Sequence, residues 1–312
     1  MWRQRVIFGT LLIAVLLGLI VADAHLSGRR ATTQNNVGLL QTLFLSGGLT
    51  SLVILAAAVA GAYEACELAR AAGHQPMHRL VMLGVLVLAA IPWLTHADPG
   101  ASPEQAARSD WQWTCLVIVA GVLLSAVAVM AGPGVRDGIA NTAVSCFLML
   151  YVGLLAGFAV RLRQDLAGPM GAWALLYLIL VTKSADIGGY ACGSLFGRHR
   201  IVPGISPNKT LEGFIGGVVL AVGVAWLGNE LFLRIAAGID GLRAVHVVLF
   251  GAIVGVVSPV GDLFESLIKR DADRKDSGSH IPTFGGILDL IDSPLFSVPV
   301  GWFLLTNWLG TG

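Results

Sequence analysis

Apolar residues in this chain fall into long, nearly unbroken runs, near residues 6–22, 39–60, 80–95, 113–131, 141–160, 171–187, 211–228, 244–263 and 292–309. Each run approaches the roughly 20 residues with which a helix, rising about 1.5 Å per residue, crosses a bilayer core about 30 Å thick. Lipid offers the backbone no hydrogen bonds, so only helices or closed barrels span it. Runs this continuous lack the apolar–polar alternation of a barrel strand. The pattern predicts an all-α, polytopic integral membrane protein with about nine transmembrane helices. The segment from Gly213 to Ile239 is readable as one long tilted helix. Residues 1–170 read as an N-terminal set of spans, and residues 171–312 as a C-terminal set in which the polar residues gather.

Composition strengthens this picture. Of the 312 residues, 55% are hydrophobic and 12% charged, with a mean hydropathy of +0.77. Soluble domains carry about twice that share of charge. The 39 glycines follow no fixed period, which excludes collagen, and the apolar content excludes disorder. A net charge of +1 creates no field to attract nucleic acid. Cys66, Cys115, Cys146 and Cys192 form no Cys-x-x-Cys pair, so they read as small packing residues.

The first run has two readings. Arg3 and Arg5 precede it, and Ala22-Asp23-Ala24 follows it in the manner of a signal-peptidase site; its length favours a retained helix. With the N-terminus inside, thirteen of the twenty basic residues fall on the inner side. Eight of them are Lys183 and the basic residues of the loops near 188–210 and 264–291, and the chemistry of those two loops places them in the cytoplasm. Gly189/Gly193/Gly197, Gly213/Gly217 and Gly251/Gly255 are small-x-x-x-small sets that let helices approach closely. Such sets pack within one chain or between two, which leaves a homodimer open. No internal repeat of the kind that marks transporters is evident.

Three polar clusters stand out against this apolar background. Glu265 to Asp292 holds Glu265, Asp271, Asp273, Asp276, Asp289 and Asp292, with Lys269, Arg270, Arg274, Lys275 and His280. Asp289 and Asp292 lie three apart on one helical face, as do Asp262 and Glu265 at the end of the preceding span. Two carboxylate pairs at facing helix ends, joined by a basic loop, suit a divalent metal and phosphate. The second cluster, Lys183-Ser184-Ala185-Asp186, ends an apolar run and is readable as a structural i, i+3 ion pair or as site chemistry. In the third, Ser206-Pro207-Asn208-Lys209-Thr210-Leu211-Glu212-Gly213 enters a helix whose first amides, with Lys209, could hold phosphate. The same segment is also readable as a plain helix entry capped by Thr210 or Asn208. His74 and His78 flank Pro76 and read as loop residues. Serine-hydrolase and zincin motifs are missing.

In this order the clusters resemble those of the phosphatidate cytidylyltransferases, or CDP-diacylglycerol synthases. The resemblance rests on Ser266-Leu267-Ile268-Lys269-Arg270, Lys275-Asp276-Ser277-Gly278 and Gly285-Gly286-Ile287-Leu288-Asp289-Leu290-Ile291-Asp292. Upstream it takes in Gly261-Asp262-Leu263-Phe264-Glu265, the Ser206–Phe214 stretch and Asp186-Ile187-Gly188-Gly189-Tyr190. It covers roughly residues 180–300. Two positions depart from the pattern: Phe284 stands where His is usual, and Leu290 where Arg is usual. Both bear on substrate choice or rate.

The resemblance implies transfer of the cytidylyl group of CTP to phosphatidate, giving CDP-diacylglycerol and pyrophosphate, in a bacterial inner membrane with the site facing the cytoplasm. It implies Mg²⁺, one or two ions, bound by Asp262 and Asp289. Lys269 and Arg270 join these two as catalytic candidates. Asp186, Ser206, Lys209, Thr210, Glu212, Lys275, Asp276 and Asp292 are candidates for binding substrate. A CTP-dependent lipid kinase such as a polyprenol kinase, another CDP-lipid synthase, and a non-catalytic lipid-binding or transport paralogue remain alternatives.

Overall fold

A computed structural model describes residues 15, 17–27, 47–97, 102–131, 137–166, 168–278 and 285–309. Arg3, Arg5, His280, Pro282, Thr283, Phe284 and the start of the first expected span lie outside the described residues. The chain is a helical bundle: α1 (Leu17–Ser27), α2 (Gly48–Ala71), α3 (His78–His96), α4 (Pro103–Met130), α5 (Gly138–Asp165), α6 (Met170–Phe196), α7 (Leu211–Ala236), α8 (Ala244–Asp271) and α9 (Leu288–Leu309). The eight helices from α2 onward are long and apolar enough to cross a membrane. The only β pairing among the described residues is an isolated bridge between Arg200 and Thr210.

Several helices outrun the apolar segments that announced them. The second span, expected at 39–60, runs instead through Tyr63, Glu64 and Cys66 to Ala71. The sixth continues past Lys183 and Asp186 to Phe196, and the eighth past Asp262, Glu265 and Lys269 to Asp271. Hydropathy alone stops at a charged residue. A helix does not stop there when the charge finds a partner, as each of these does. The polar chemistry of the chain is therefore carried mainly on helix ends, where backbone geometry is rigid. Gly213–Ile239 is one continuous helix as far as Ala236, with a π-helical last stretch from Asn229.

Glycines set the distances between helices. A Cβ on Gly213 would lie 2.6 Å from the Gly189 carbonyl oxygen, and one on Gly251 2.6 Å from Val222 Cα. The small-residue sets thus pack α6 on α7 and α7 on α8 within this chain. Gly153 meets α3 in the same way, its Cβ position 2.8 Å from Val85 Cα. Two clusters of buried apolar residues result. One joins α2, α3 and α5 to the start of α9; the other joins the end of α5 to α6, α7, α8 and the rest of α9. The second runs across residue 170, with Leu162 and Leu166 packed among Leu175 and Leu178. In contrast, α4 exposes Leu116, Val119, Leu123 and Val127, the surface expected of a helix whose solvent is lipid.

At the end of the bundle where α3, α5 and α1 terminate, two buried ion pairs brace the helices. Arg161 reaches Asp110 of α4 through two bonds, Nε–Oδ2 at 2.7 Å and Nη2–Oδ1 at 2.9 Å, and also donates to Thr114 Oγ1. Its guanidinium lies over Trp111, 4.4 Å from the ring centroid. Arg163 pairs with Asp23 of α1 at 2.7 Å, and Asp23 also accepts from Thr50 Oγ1 and the Leu49 amide. Asp23, part of the segment that resembles a cleavage site, is thus buried against α2 and α5.

Candidate active site

The opposite end of the bundle carries the charged clusters. Gly261 allows α8 to touch α9 there: a Cβ at this position would lie 2.5 Å from the Asp292 carbonyl oxygen and 3.1 Å from Ser293 Cα. The contact sets Asp262, one residue further on, and Glu265, nearly one turn later, beside Asp292 of α9. Carboxylate oxygens of Asp262, Glu265 and Asp292 all lie within 4.8 Å of one another. Glu265 and Asp292 are buried and Asp262 is open to solvent at the mouth.

Three carboxylates this close repel one another strongly in a medium of low dielectric, and the sequence supplies cations on both sides. Lys269, one helical turn after Glu265, ion-pairs with it and reaches Asp289 Oδ1 at 2.6 Å. Lys209 pairs with Asp262 at 2.8 Å and donates to the Pro259 carbonyl at 2.9 Å. On α6, Lys183 pairs with Asp186 at 3.2 Å, so the i, i+3 ion pair exists. It is also more than local, because Asp186 Oδ1 accepts from Ser258 Oγ of α8 and Ser293 Oγ of α9.

The donor set suits a divalent cation. Hard ions such as Mg²⁺ take carboxylate oxygens and keep several waters. Apart from the Lys269 ion pair, neither oxygen of buried Glu265 accepts a hydrogen bond from a described donor. Lys269 offsets part of the cost of burying this carboxylate, and an oxygen without a donor can take a further positive charge. The expected metal pair was Asp262 with Asp289. Among the described residues, the carboxylates of Asp262, Glu265 and Asp292 lie together, and Asp289 adjoins them through Lys269, which contacts both Glu265 and Asp289 Oδ1; Asp289 Oδ2 accepts from Gly286 N at 2.7 Å, Ser277 N at 3.1 Å and Ser277 Oγ at 2.9 Å.

The loop before α7 closes over this group. Ile201 N donates to the Lys209 carbonyl and Leu211 N to the His199 carbonyl, so residues 199–211 fold back on themselves. Thr210 caps α7 through Gly213 N. The His199 and Thr210 bonds satisfy two of the helix-start amides that the sequence offered to phosphate, which leaves the Lys209 ammonium as the candidate anion contact of this segment. Ser206 lies in the turn, its carbonyl accepting from Lys209 N. Glu212 binds the Arg198 and His199 amides and the His199 ring, bracing the loop. Arg270 Nε donates to the Ile205 carbonyl at 3.3 Å, tying the end of α8 to the same loop. Lys275 and Asp276 stand exposed on the turn after α8.

One participant escaped the sequence reading. Glu64 of α2 is 1% exposed, and its carboxylate accepts from Ile287 N at 3.0 Å, Leu288 N at 2.8 Å and Ser277 Oγ at 3.0 Å. The available signal was an acid among small apolar residues just past the 39–60 run, where a continued helix would bury it at a cost.

Fold and charges together define a polytopic helical membrane protein with carboxylates and cations gathered at one end of its bundle. Comparison with known proteins narrows the class. The model of the Cytidylyltransferase family matches residues 30–308, and the chain belongs to that family. A protein of Chlamydia muridarum named phosphatidate cytidylyltransferase is 31% identical over 264 residues, 83% of this chain and 84% of that one. Proteins of the same name from Mycobacterium leprae and Bacillus subtilis are 35% and 36% identical over 177 and 156 residues. These two alignments cover 57% and 50% of this chain, and 54% and 55% of the relatives, so the chain spans about half the length of each.

Proposed function

We propose that this protein is a phosphatidate cytidylyltransferase of a bacterial inner membrane, with its site on the cytoplasmic face. It joins CTP to phosphatidate to give CDP-diacylglycerol and pyrophosphate. The observation that carries the reading is the Asp262, Glu265 and Asp292 group flanked by Lys209 and Lys269, in a chain of the Cytidylyltransferase family.

The chemistry follows from the reactants. A phosphatidate phosphate has a second pKa of about 6 and is largely dianionic at neutral pH. Its oxygen attacks the α-phosphorus of CTP, forming a new P–O bond as the α–β bridge oxygen leaves with pyrophosphate. The nucleophile needs no strong base. What the reaction needs is the approach of two polyanions, so charge neutralisation and positioning supply the catalysis. Mg²⁺ held by Asp262, Glu265 and Asp292 would supply electrostatic stabilisation of the phosphate oxygens. Lys209 and Arg270, both tied to the 199–211 loop, neutralise phosphates on the α7 side. Lys269 does so on the α9 side, with Asp289 fixing its position. Asp186 keeps α6 in register with α8 and α9, and exposed Lys275 meets phosphate at the rim. CTP enters from water and phosphatidate sideways from the leaflet, which suits a site at a helix-bundle end.

The test uses detergent-purified protein with CTP, phosphatidate and Mg²⁺, following pyrophosphate and CDP-lipid together. Both products should form at equal rates and stop with EDTA. Release of CDP with a newly phosphorylated lipid would replace the reading with a kinase. No CTP turnover, beside an active relative assayed in parallel, would overturn it.

A further inference from the structure

We propose that Glu64 is a positioning residue for this reaction, an anchor on α2 that sets the first turn of α9 and, through Ser277, the carboxylate of Asp289. The inference rests on the cytidylyl-transfer reading of the site and adds to it a residue from the N-terminal half of the chain.

Leu288 N opens the first turn of α9 and Ile287 N immediately precedes it, at the helix end where amides have no intrahelical acceptor and the helix dipole is positive. Glu64 meets both, at 3.0 and 2.8 Å, and so acts as a cap supplied by another helix. Its approach requires bare backbone on both sides: a Cβ on Gly278 would lie 2.6 Å from Glu64 Oε1, and one on Gly286 2.8 Å from Glu64 Cδ. Ser277 Oγ stands between the two acids, 3.0 Å from Glu64 Oε2 and 2.9 Å from Asp289 Oδ2. A hydroxyl carries one proton, so the two carboxylates share this donor. Asp289 in turn holds Lys269, and Lys269 holds Glu265. A continuous polar chain therefore leads from α2 into the carboxylate group. Glu64 itself is absent from that group.

Glu64→Gln keeps size and shape but presents an NH₂ to at least one donor it formerly accepted from. Displacing reactive groups by fractions of an ångström costs rate more than binding, so kcat should fall by about 10- to 100-fold with KM for CTP nearly unchanged. Ser277→Ala should fall less, and the double variant should be no slower than Glu64→Gln, because both act through one chain. Additive losses, or wild-type kcat per folded molecule in Glu64→Gln, would overturn the proposal. A purely structural role would lower the yield of folded protein and leave kcat intact. Hydrogen exchange on the full chain without substrate supplies a second readout. The Ile287 and Leu288 amides should exchange at least about tenfold faster in Glu64→Gln, with α6 and α7 unchanged. Unchanged protection there would refute the anchor. Failure of the wild type to turn over CTP would instead refute the proposed function and leave the exchange result standing.

Discussion

Lys209 Nζ lies 2.8 Å from Asp262 Oδ2 and 2.9 Å from the carbonyl oxygen of Pro259. One ammonium thus holds the loop before α7 against α8, next to the proline in the middle of that helix. Both contacts are ones a phosphate oxygen could compete for, which makes Lys209 a group that can exchange a protein carboxylate for a substrate anion.

Lys209→Met should therefore lower kcat/KM for CTP by about 100-fold, the usual cost of losing one preorganised charge stabiliser. Lys209→Arg should keep more activity than Lys209→Met, since it retains the charge. Steady-state kinetics on the purified variants checks this, and equal loss in both would show that the loop contact matters more than the charge.

Asp262 is the most open member of the carboxylate group, so Asp262→Asn should fold normally and fail in metal use. The Mg²⁺ concentration for half-maximal turnover should rise by about 10-fold or more, as removal of a ligand or its support commonly does. A metal titration of activity, with thermal unfolding as the control, decides it. An unchanged titration curve would remove Asp262 from the metal site.

Gly261→Ala sets two effects against each other. Alanine favours a helix interior by about 1 kcal/mol over glycine, but its Cβ would lie 2.5 Å from the Asp292 carbonyl oxygen. A backbone oxygen cannot swing aside as a side chain can, and overpacking typically costs about 1–3 kcal/mol. The variant should lose thermal stability and activity together, because α9 must shift and carry Asp292 with it. A raised melting temperature would show the contact to be slack.

Asp110→Asn tests the far end of the bundle. Arg161 and Asp110 have side chains only 1% and 3% exposed, so removing one charge leaves the other buried and uncompensated, at a cost of about 3–5 kcal/mol. Thermal unfolding in detergent should register a large drop, and Asp110→Asn/Arg161→Met should recover much of it. A single variant as stable as the parent would mean that water reaches Arg161.

How much of this was legible along the chain differs from residue to residue. The apolar runs are local, and bilayer thickness converts their length directly into spans; the helices from α2 onward follow from that alone. Asp262 with Glu265, Asp289 with Asp292, and Lys183 with Asp186 were also visible as pairs, since three residues on a helix make neighbours. The small-residue spacings that pack α6, α7 and α8 were visible for the same reason, although spacing left open whether their partner was this chain or another.

Partnership between distant helices is another matter. Nothing in the spacing of residues 262–292 says whether Asp289 or Asp292 meets Asp262. That depended on the close approach of α8 to α9 at Gly261. Nor could sequence say that Glu64, more than two hundred positions earlier, caps α9, or that Arg161 and Arg163 find Asp110 and Asp23. Sequence by itself determined the solvent of this protein, its helices and the kind of chemistry at one end, because those depend on local periodicity and composition. Tertiary structure decided which charges share a site, because that depends on how closely helix backbones meet, and in this chain the approach is set by glycines that hydropathy does not register.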